Sequence, residues 1–245
     1  MLTLAIVFVG GIIASAFAAI GGGVGIMSLP VLLLAGLSPQ AAVAVGRVGL
    51  LGLTISGAYK FIKEGKVLWK YVLPLSLISI TGSVIGTHML IAITSRYLNI
   101  LIGVLVVMTL PLLYVKKPQG IAKKAVTKAR WYFCLAVYLV IRTYAGLFGG
   151  GAGTIEFISL VHWADLNLVE ANGVTRIPSL IGAAISVTML SKSGLLNPTI
   201  SLTLFVSMLI GGYIGSHIAI KKGADWSKHL VAVMIIIVAT KLIFF

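Results

Sequence analysis

The chain has 245 residues, 59% of them hydrophobic and only 10% charged, with a formal net charge of +14. Soluble domains carry about 25% charged residues, so this composition leaves too little polar surface to cover a globule. The basic residues sit in short segments between apolar runs, which speaks against a nucleic-acid binder and fits the cytoplasmic loops of a membrane protein.

Apolar pieces recur along the whole sequence, roughly at 1–20, 24–36, 40–59, 70–93 and 97–115, then at 131–148, 152–164, 168–190, 196–220 and 227–245. The first ends in Ala16-Phe17-Ala18, a faint likeness to a signal-peptidase site, but no basic segment precedes it, and it reads as a retained membrane segment. Gly21-Gly22-Gly23-Val24-Gly25 then opens a piece of about 13 residues, about 20 Å of helix, which is short for a crossing of about 30 Å. Three glycines favour a sharp turn over continued helix, so a hairpin or broken helix with its tip at membrane depth is expected. In the third piece Ser38-Pro39 has the form of an N-cap followed by proline at the first helical position. That places Arg47 about 12 Å along the helix.

The second half repeats the first. Gly149-Gly150-Gly151-Ala152-Gly153 matches the first glycine run at an offset of 128, and Arg176 matches Arg47 at 129. Lys192 matches Lys63, Gly194 matches Gly65, and Gly211 to His217 matches Gly82 to His88. Here Asn167 and Glu170 form a capping-box pattern, with Arg176 about 13 Å into its helix. The expected domains are a first membrane repeat at 1–115, a basic cytoplasmic linker at 116–130 and a second membrane repeat at 131–245.

If each glycine hairpin enters and leaves on one side, each half makes three full crossings, and an odd number inverts the second half relative to the first. The cytoplasm then holds Lys60, Lys63, Lys66, Lys70, the linker, Lys221, Lys222 and Lys228, which is 13 of the 19 basic residues. Arg96, Lys192 and Lys241 face out. The fold class expected is all-α: a polytopic helical membrane protein of two inverted repeats, each a glycine-tipped hairpin or broken helix plus three full transmembrane helices, with both termini outside.

The chemistry concentrates at the glycines and the buried arginines. A glycine turn ahead of a helix presents backbone N–H groups and the positive end of the helix dipole, which receives an anion without a side-chain charge. Gly21, Gly22, Gly23, Gly25, Gly149, Gly150, Gly151 and Gly153 are therefore candidate substrate-binding residues. An arginine deep in a membrane helix faces the protein interior, a partner or an aqueous path, which adds Arg47 and Arg176; Asn172 and Thr175 lie within a turn of Arg176 as neutral donors. Pro178 and Gly49 follow two residues after each arginine, where they would loosen the helix. Arg142 has no mate in the first half and serves either substrate or structure.

Glu156 is the only acidic residue well inside an apolar piece, and its counterpart is Ser28. Two readings stand: proton coupling beside an anion site, or a salt bridge to Arg142 or Arg176. His88 and His217 follow GxxxG-like pairs and are candidate gates or proton relays, although packing suits them as well. With no cysteine or carboxylate at ligand spacing they make a poor metal site, and neither a metal nor a cofactor is expected. Cys134 is the single cysteine, so no internal disulfide forms.

The doubled GGGxG turn, the short segment Met27-Ser28-Leu29-Pro30-Val31-Leu32, the Gly-x-Arg-like stretches and the two G-x-x-x-G-x-H runs together resemble the sulfite exporter TauE/SafE family, also called the toluene-sulfonate uptake permease family. The resemblance covers nearly the whole chain. It implies a secondary transporter, an exporter by the family's name, of sulfur-containing anions such as sulfite, sulfonates or sulfoacetate in a prokaryotic cytoplasmic membrane. Its partners would be that small anion, the lipid bilayer and protons. The second half departs from the first with Ile158 in place of Pro30 and Glu156 in place of Ser28. The alternatives are an anion channel with the same site, an intramembrane enzyme using His88 or His217, and a sulfur-relay subunit using Cys134.

Overall fold

The computed structural model describes residues 2–21, 24–93 and 127–222. All regular structure among them is helical. The first half holds α1 (Leu2–Gly21), α2 (Val24–Leu34), α3 (Pro39–Lys63) and α4 (Trp69–Ala92); the second holds α5 (Lys128–Leu147), α6 (Ala152–Trp163), α7 (Leu168–Leu190) and α8 (Pro198–Lys222). Gly22, Gly23, Arg96, Lys228, Lys241, the pieces expected at 97–115 and 227–245 and most of the expected linker lie outside the described residues. The last three residues of that linker are already helical, because α5 begins at Lys128.

Among the described residues four helices are long and apolar enough to cross a membrane: Pro39–Lys63, Trp69–Ala92, Val169–Leu190 and Pro198–Lys221. Side chains are distributed accordingly. Leu73 is 69% exposed and Leu202 64%, whereas Ser79, Thr87, Ser207 and Ser216 are fully buried. Lipid is as apolar as leucine, so nothing drives leucine inward, and small and hydroxyl residues collect where helices meet. This is a polytopic helical membrane protein.

The helix ends follow their sequence cues. Ser38 caps α3 by accepting from the Ala41 amide, with Pro39 at the first position. Asn167 and Glu170 complete a capping box on α7, each side chain accepting from the other's backbone N–H at 2.8 and 2.9 Å. After α5 the chain passes Gly149 at φ +82° and Gly151 at φ +73° before α6 opens at Ala152. Only glycine adopts such backbone at little cost. In the first half α1 is described to Gly21 and α2 from Val24.

In each half the first two helices pack on one another. Val31 of α2 lies against Gly10 of α1, 2.7 Å from where a Cβ would stand. Tyr138 of α5 reaches Glu156 of α6 across the other turn. The backbone keeps the sequence offset elsewhere too. Gly36 (φ +87°) and Asp165 (φ +55°) stand 129 positions apart, as do Gly65 (φ +63°) and Gly194 (φ +73°).

Packing crosses between the halves. α1 lies along α8 and α5 along α4; α3 also packs on α8 and α7 on α4, while α3 and α7 meet each other. Exchanging each helix for its mate leaves this set of contacts unchanged. One apolar core joins α1, α2, α3 and α8 through residues such as Val7, Leu32, Leu53 and Leu204, and Leu90 of α4, Phe148 after α5 and Leu190 of α7 pack into its edge. A second joins α4 to α7 through Leu75, Tyr138, Leu160 and Val174. The GxxxG pairs form the seams: a methyl on Gly86 would overlap the Thr143 carbonyl, and one on Gly215 the Ala16 carbonyl.

Gly49 and Pro178, expected to loosen their helices, lie within helices that run on past them. α3 runs unbroken past Gly49, against which Met208 and Leu204 of α8 pack, and α7 runs unbroken through Pro178, whose carbonyl accepts from Ser79 Oγ at 2.6 Å. Both residues serve close helix contact. Lys60, expected in a loop, is instead buried in the last turn of α3 and pairs with Glu64 at 2.9 Å.

Candidate functional site

Between the two bodies lies a cavity of about 60 Å³. α3 contributes Arg47, Leu50 and Thr54; α5 contributes Arg142 and Gly146; the second glycine turn and α6 contribute Gly149, Gly153 and Glu156; α7 contributes Thr175, Arg176 and Ser179. Three arginines face one carboxylate among the described residues that line it, and all four side chains are buried. The first residues of α6, Ala152 and Gly153, also line it, so the positive end of that helix faces the same space.

Arg176 is well supplied with partners. Its Nη2 donates to the Ala19 carbonyl at 2.9 Å and to Asn172 Oδ1, while Asn172 Nδ2 donates to the same carbonyl at 2.9 Å. Ala19 is in the last turn of α1, where carbonyls lack helical partners and the dipole favours a cation. The guanidinium also stands over the Phe61 ring, 5.5 Å from its centroid. Thr175 turns its hydroxyl back to the Asn172 carbonyl at 3.0 Å.

Arg47 is placed alike and supplied differently. Its guanidinium lies against Gly149 at the end of α5, with Nη1 2.9 Å from where a Cβ would stand. Its Nε and Nη2 are buried and have no hydrogen-bond partner among the described residues. A buried guanidinium in that condition is costly unless an anion completes it.

Arg142 and Glu156 form the ion pair that was one of the two readings of Glu156, with Nη1 3.6 Å from Oε2. Arg142 Nη1 also donates to Ser179 Oγ at 3.1 Å, and Tyr138 donates to Glu156 Oε1 at 2.5 Å. The Nε of Arg142 and the Nε of Arg176 are, like those of Arg47, buried without a partner.

The remaining candidates divide. Gly149 and Gly153 line the cavity; Gly150 accepts from the Tyr144 hydroxyl, and Gly151 caps α6. Gly21 ends α1 and Gly25 lies in α2. Neither His88, exposed on α4, nor His217, half-buried on α8, lines the cavity. Among the described residues no group of three or more His, Cys, Asp or Glu side chains could hold a metal ion.

Comparison with known proteins bears directly on this architecture. The family described as sulfite exporter TauE/SafE matches residues 6–242. The chain belongs to the sulfite exporter TauE/SafE family. It is 25% identical over 241 residues to a probable membrane transporter protein, ORF9, of a Sinorhizobium species, covering 98% of this chain and 92% of that one. A probable membrane transporter protein of Haemophilus influenzae is 23% identical over 246 residues, at 98% and 94% coverage. The probable membrane transporter protein YfcA of Escherichia coli K12 is 22% identical over 247 residues, at 99% and 90% coverage. No solved structure matches. The TauE/SafE family is one of transporters, not of enzymes, and this member is a multi-pass membrane transporter.

In this TauE/SafE protein the sequence reading missed Tyr138 and the hydroxyls of Thr54, Ser83, Ser179 and Ser186 that line the cavity or hold its charges. Tyr138 could have been found. It stands four residues before Arg142, so both lie on one helical face, and that face carries a cation.

Proposed function

We propose that this protein is a secondary transporter that exports a small sulfur-containing oxyanion through the cavity between the two bodies. The observation that carries the reading is the buried Arg47 guanidinium, whose Nε and Nη2 lack partners at a cavity where three arginines face one carboxylate. A tetrahedral or pyramidal oxyanion suits planar guanidinium forks and hydroxyl donors. The family's name supports both the anion and the outward direction.

The cavity alternates between the two faces of the membrane as the α1–α2–α3–α8 body moves against the α4–α7 body. The halves are inverted, with both termini outside, a reading supported by the fold-back of α1 on α2 and of α5 on α6 and by the clustering of lysines in the expected cytoplasmic loops. Protons are coupled through Glu156. Its carboxylate competes with the substrate for Arg142, and a proton on it removes that competitor.

The test is sulfite flux in proteoliposomes containing the purified protein, over a range of concentrations and imposed pH gradients. Saturable sulfite flux that a pH gradient accelerates, and that Glu156→Gln uncouples from the gradient, is the expected result. Flux that rises linearly and ignores the gradient would make the protein an anion channel, and absence of sulfite flux would overturn the substrate.

A further inference from the structure

The two repeat-related arginines share a position but not their partners. Each is the ninth residue of its helix. Arg176 is held by the Ala19 carbonyl and by Asn172, and it stacks on Phe61. At the offset of 129, Asn172 corresponds to Val43 and Phe61 to Leu190. Both side chains that fix Arg176 are thus aliphatic in the environment of Arg47. Val43 is buried in the apolar core of its body, one helical turn before Arg47, where it offers no acceptor. The carbonyl of Ala145 lies beside Gly149 next to Arg47, in the last turn of α5, as Ala19 lies in the last turn of α1.

We infer that the two arginines do different jobs: Arg47 is the residue that grips the anion, and Arg176 is a tether that fixes the end of the α1 hairpin to α7. The inference rests on the oxyanion-transport reading above and adds to it which cation the substrate meets. A guanidinium with two partners already in place has less to gain from an anion. One with two buried donors unmet gains the most, because the anion then supplies the hydrogen bonds they lack. Asn172 is in this view the residue that takes Arg176 out of contention, and Val43 the residue that keeps Arg47 available.

The test uses the full-length protein in detergent, titrated with sulfite by calorimetry, with the thermal midpoint recorded without anion. Arg47→Gln is expected to weaken sulfite binding by about a hundredfold while leaving the anion-free midpoint unchanged or higher. Arg176→Gln is expected to lower the anion-free midpoint and to change affinity by no more than about threefold. Because Arg176→Gln could fail to fold, Asn172→Val is measured beside it, with the same expectation in milder form. The decisive variant is Val43→Asn, which gives Arg47 the acceptor that Arg176 has. It should weaken sulfite binding by about tenfold without lowering the midpoint. Wild-type affinity in Val43→Asn, or equal losses in the two arginine variants, would overturn the division of labour while leaving the transport reading standing. A wild type that binds no sulfite would instead sink the transport reading, and this inference with it.

Discussion

The two hairpins, α1–α2 and α5–α6, are built to one plan and filled differently. In α1–α2 Val31 lies against Gly10, an apolar fit. In α5–α6 the matching region holds Tyr138, Arg142 and Glu156, joined by a hydrogen bond of 2.5 Å and an ion pair of 3.6 Å. The positions equivalent to Arg142 and Glu156, at an offset of 128, are Ala14 and Ser28, both buried. The frame of helices and glycine turns therefore does not require the charges. They were placed on one side of a frame that tolerates alanine and serine on the other, which is what a site with a chemical direction needs and a purely structural duplication does not.

Arg142→Ala should show the difference most strongly. It leaves the Glu156 carboxylate buried without its ion-pair partner, though Tyr138 still donates to it and Arg176 lines the same cavity, a loss of about 3–5 kcal/mol in denaturant unfolding. The mirror change Ser28→Ala should cost only about 1 kcal/mol. Similar losses in both would mean that the two hairpins are held by the same forces after all. Next come the seams. Gly86→Ala and Gly215→Ala push a methyl into the carbonyls of Thr143 and Ala16, and each should cost about 1–3 kcal/mol by the same measurement. Here the halves should agree, since the frame is shared, and a large inequality would break the comparison from the other direction. Tyr138→Phe removes one donor from Glu156 and should cost about 1 kcal/mol, with a change in the pH dependence of sulfite flux.

The smallest effect is expected outside the membrane. The hydrogen bond from Lys60 holds the Glu64 carboxyl below the usual carboxylate range. A lowered value means that the pair stabilises the fold above the ordinary carboxylate range, and that this contribution fades as pH falls through the lowered value. Glu64→Gln should shift the thermal midpoint at pH 7 by about a degree or less, because solvent screens the exposed carboxylate.

Much of the frame was legible because it depends on local rules. Ser38-Pro39 and the Asn167–Glu170 box mark where α3 and α7 begin, and the second glycine run marks a turn whose left-handed residues only glycine fills cheaply. The GxxxG pairs announced helix contact. They could not say which helix they meet, because that is settled by packing between residues more than fifty positions apart. The same limit applies to the cavity. Depth in an apolar helix singled out Arg47, Arg142 and Arg176, but spacing along one helix says nothing of the Ala19 carbonyl that Arg176 finds in α1. At Gly49 and Pro178 too, the chain could not show which neighbours approach closely, Met208 and Leu204 at the glycine and Ser79 at the proline carbonyl.

The glycine seams bear on how such a chain could have arisen. Gly82 and Gly86 press against α5, and Gly211 and Gly215 against α1, so each half buries its closest helix contact only on the other half. A polypeptide of half this length would display that strip of backbone to lipid with nothing to cover it. Its stable form would be a pair of identical chains with hairpins exchanged across a two-fold axis, each lending its first helix to its twin. Joining two such chains end to end would have kept every seam while freeing each copy to change alone, which is how one hairpin could gain a tyrosine, an arginine and a glutamate and the other keep none.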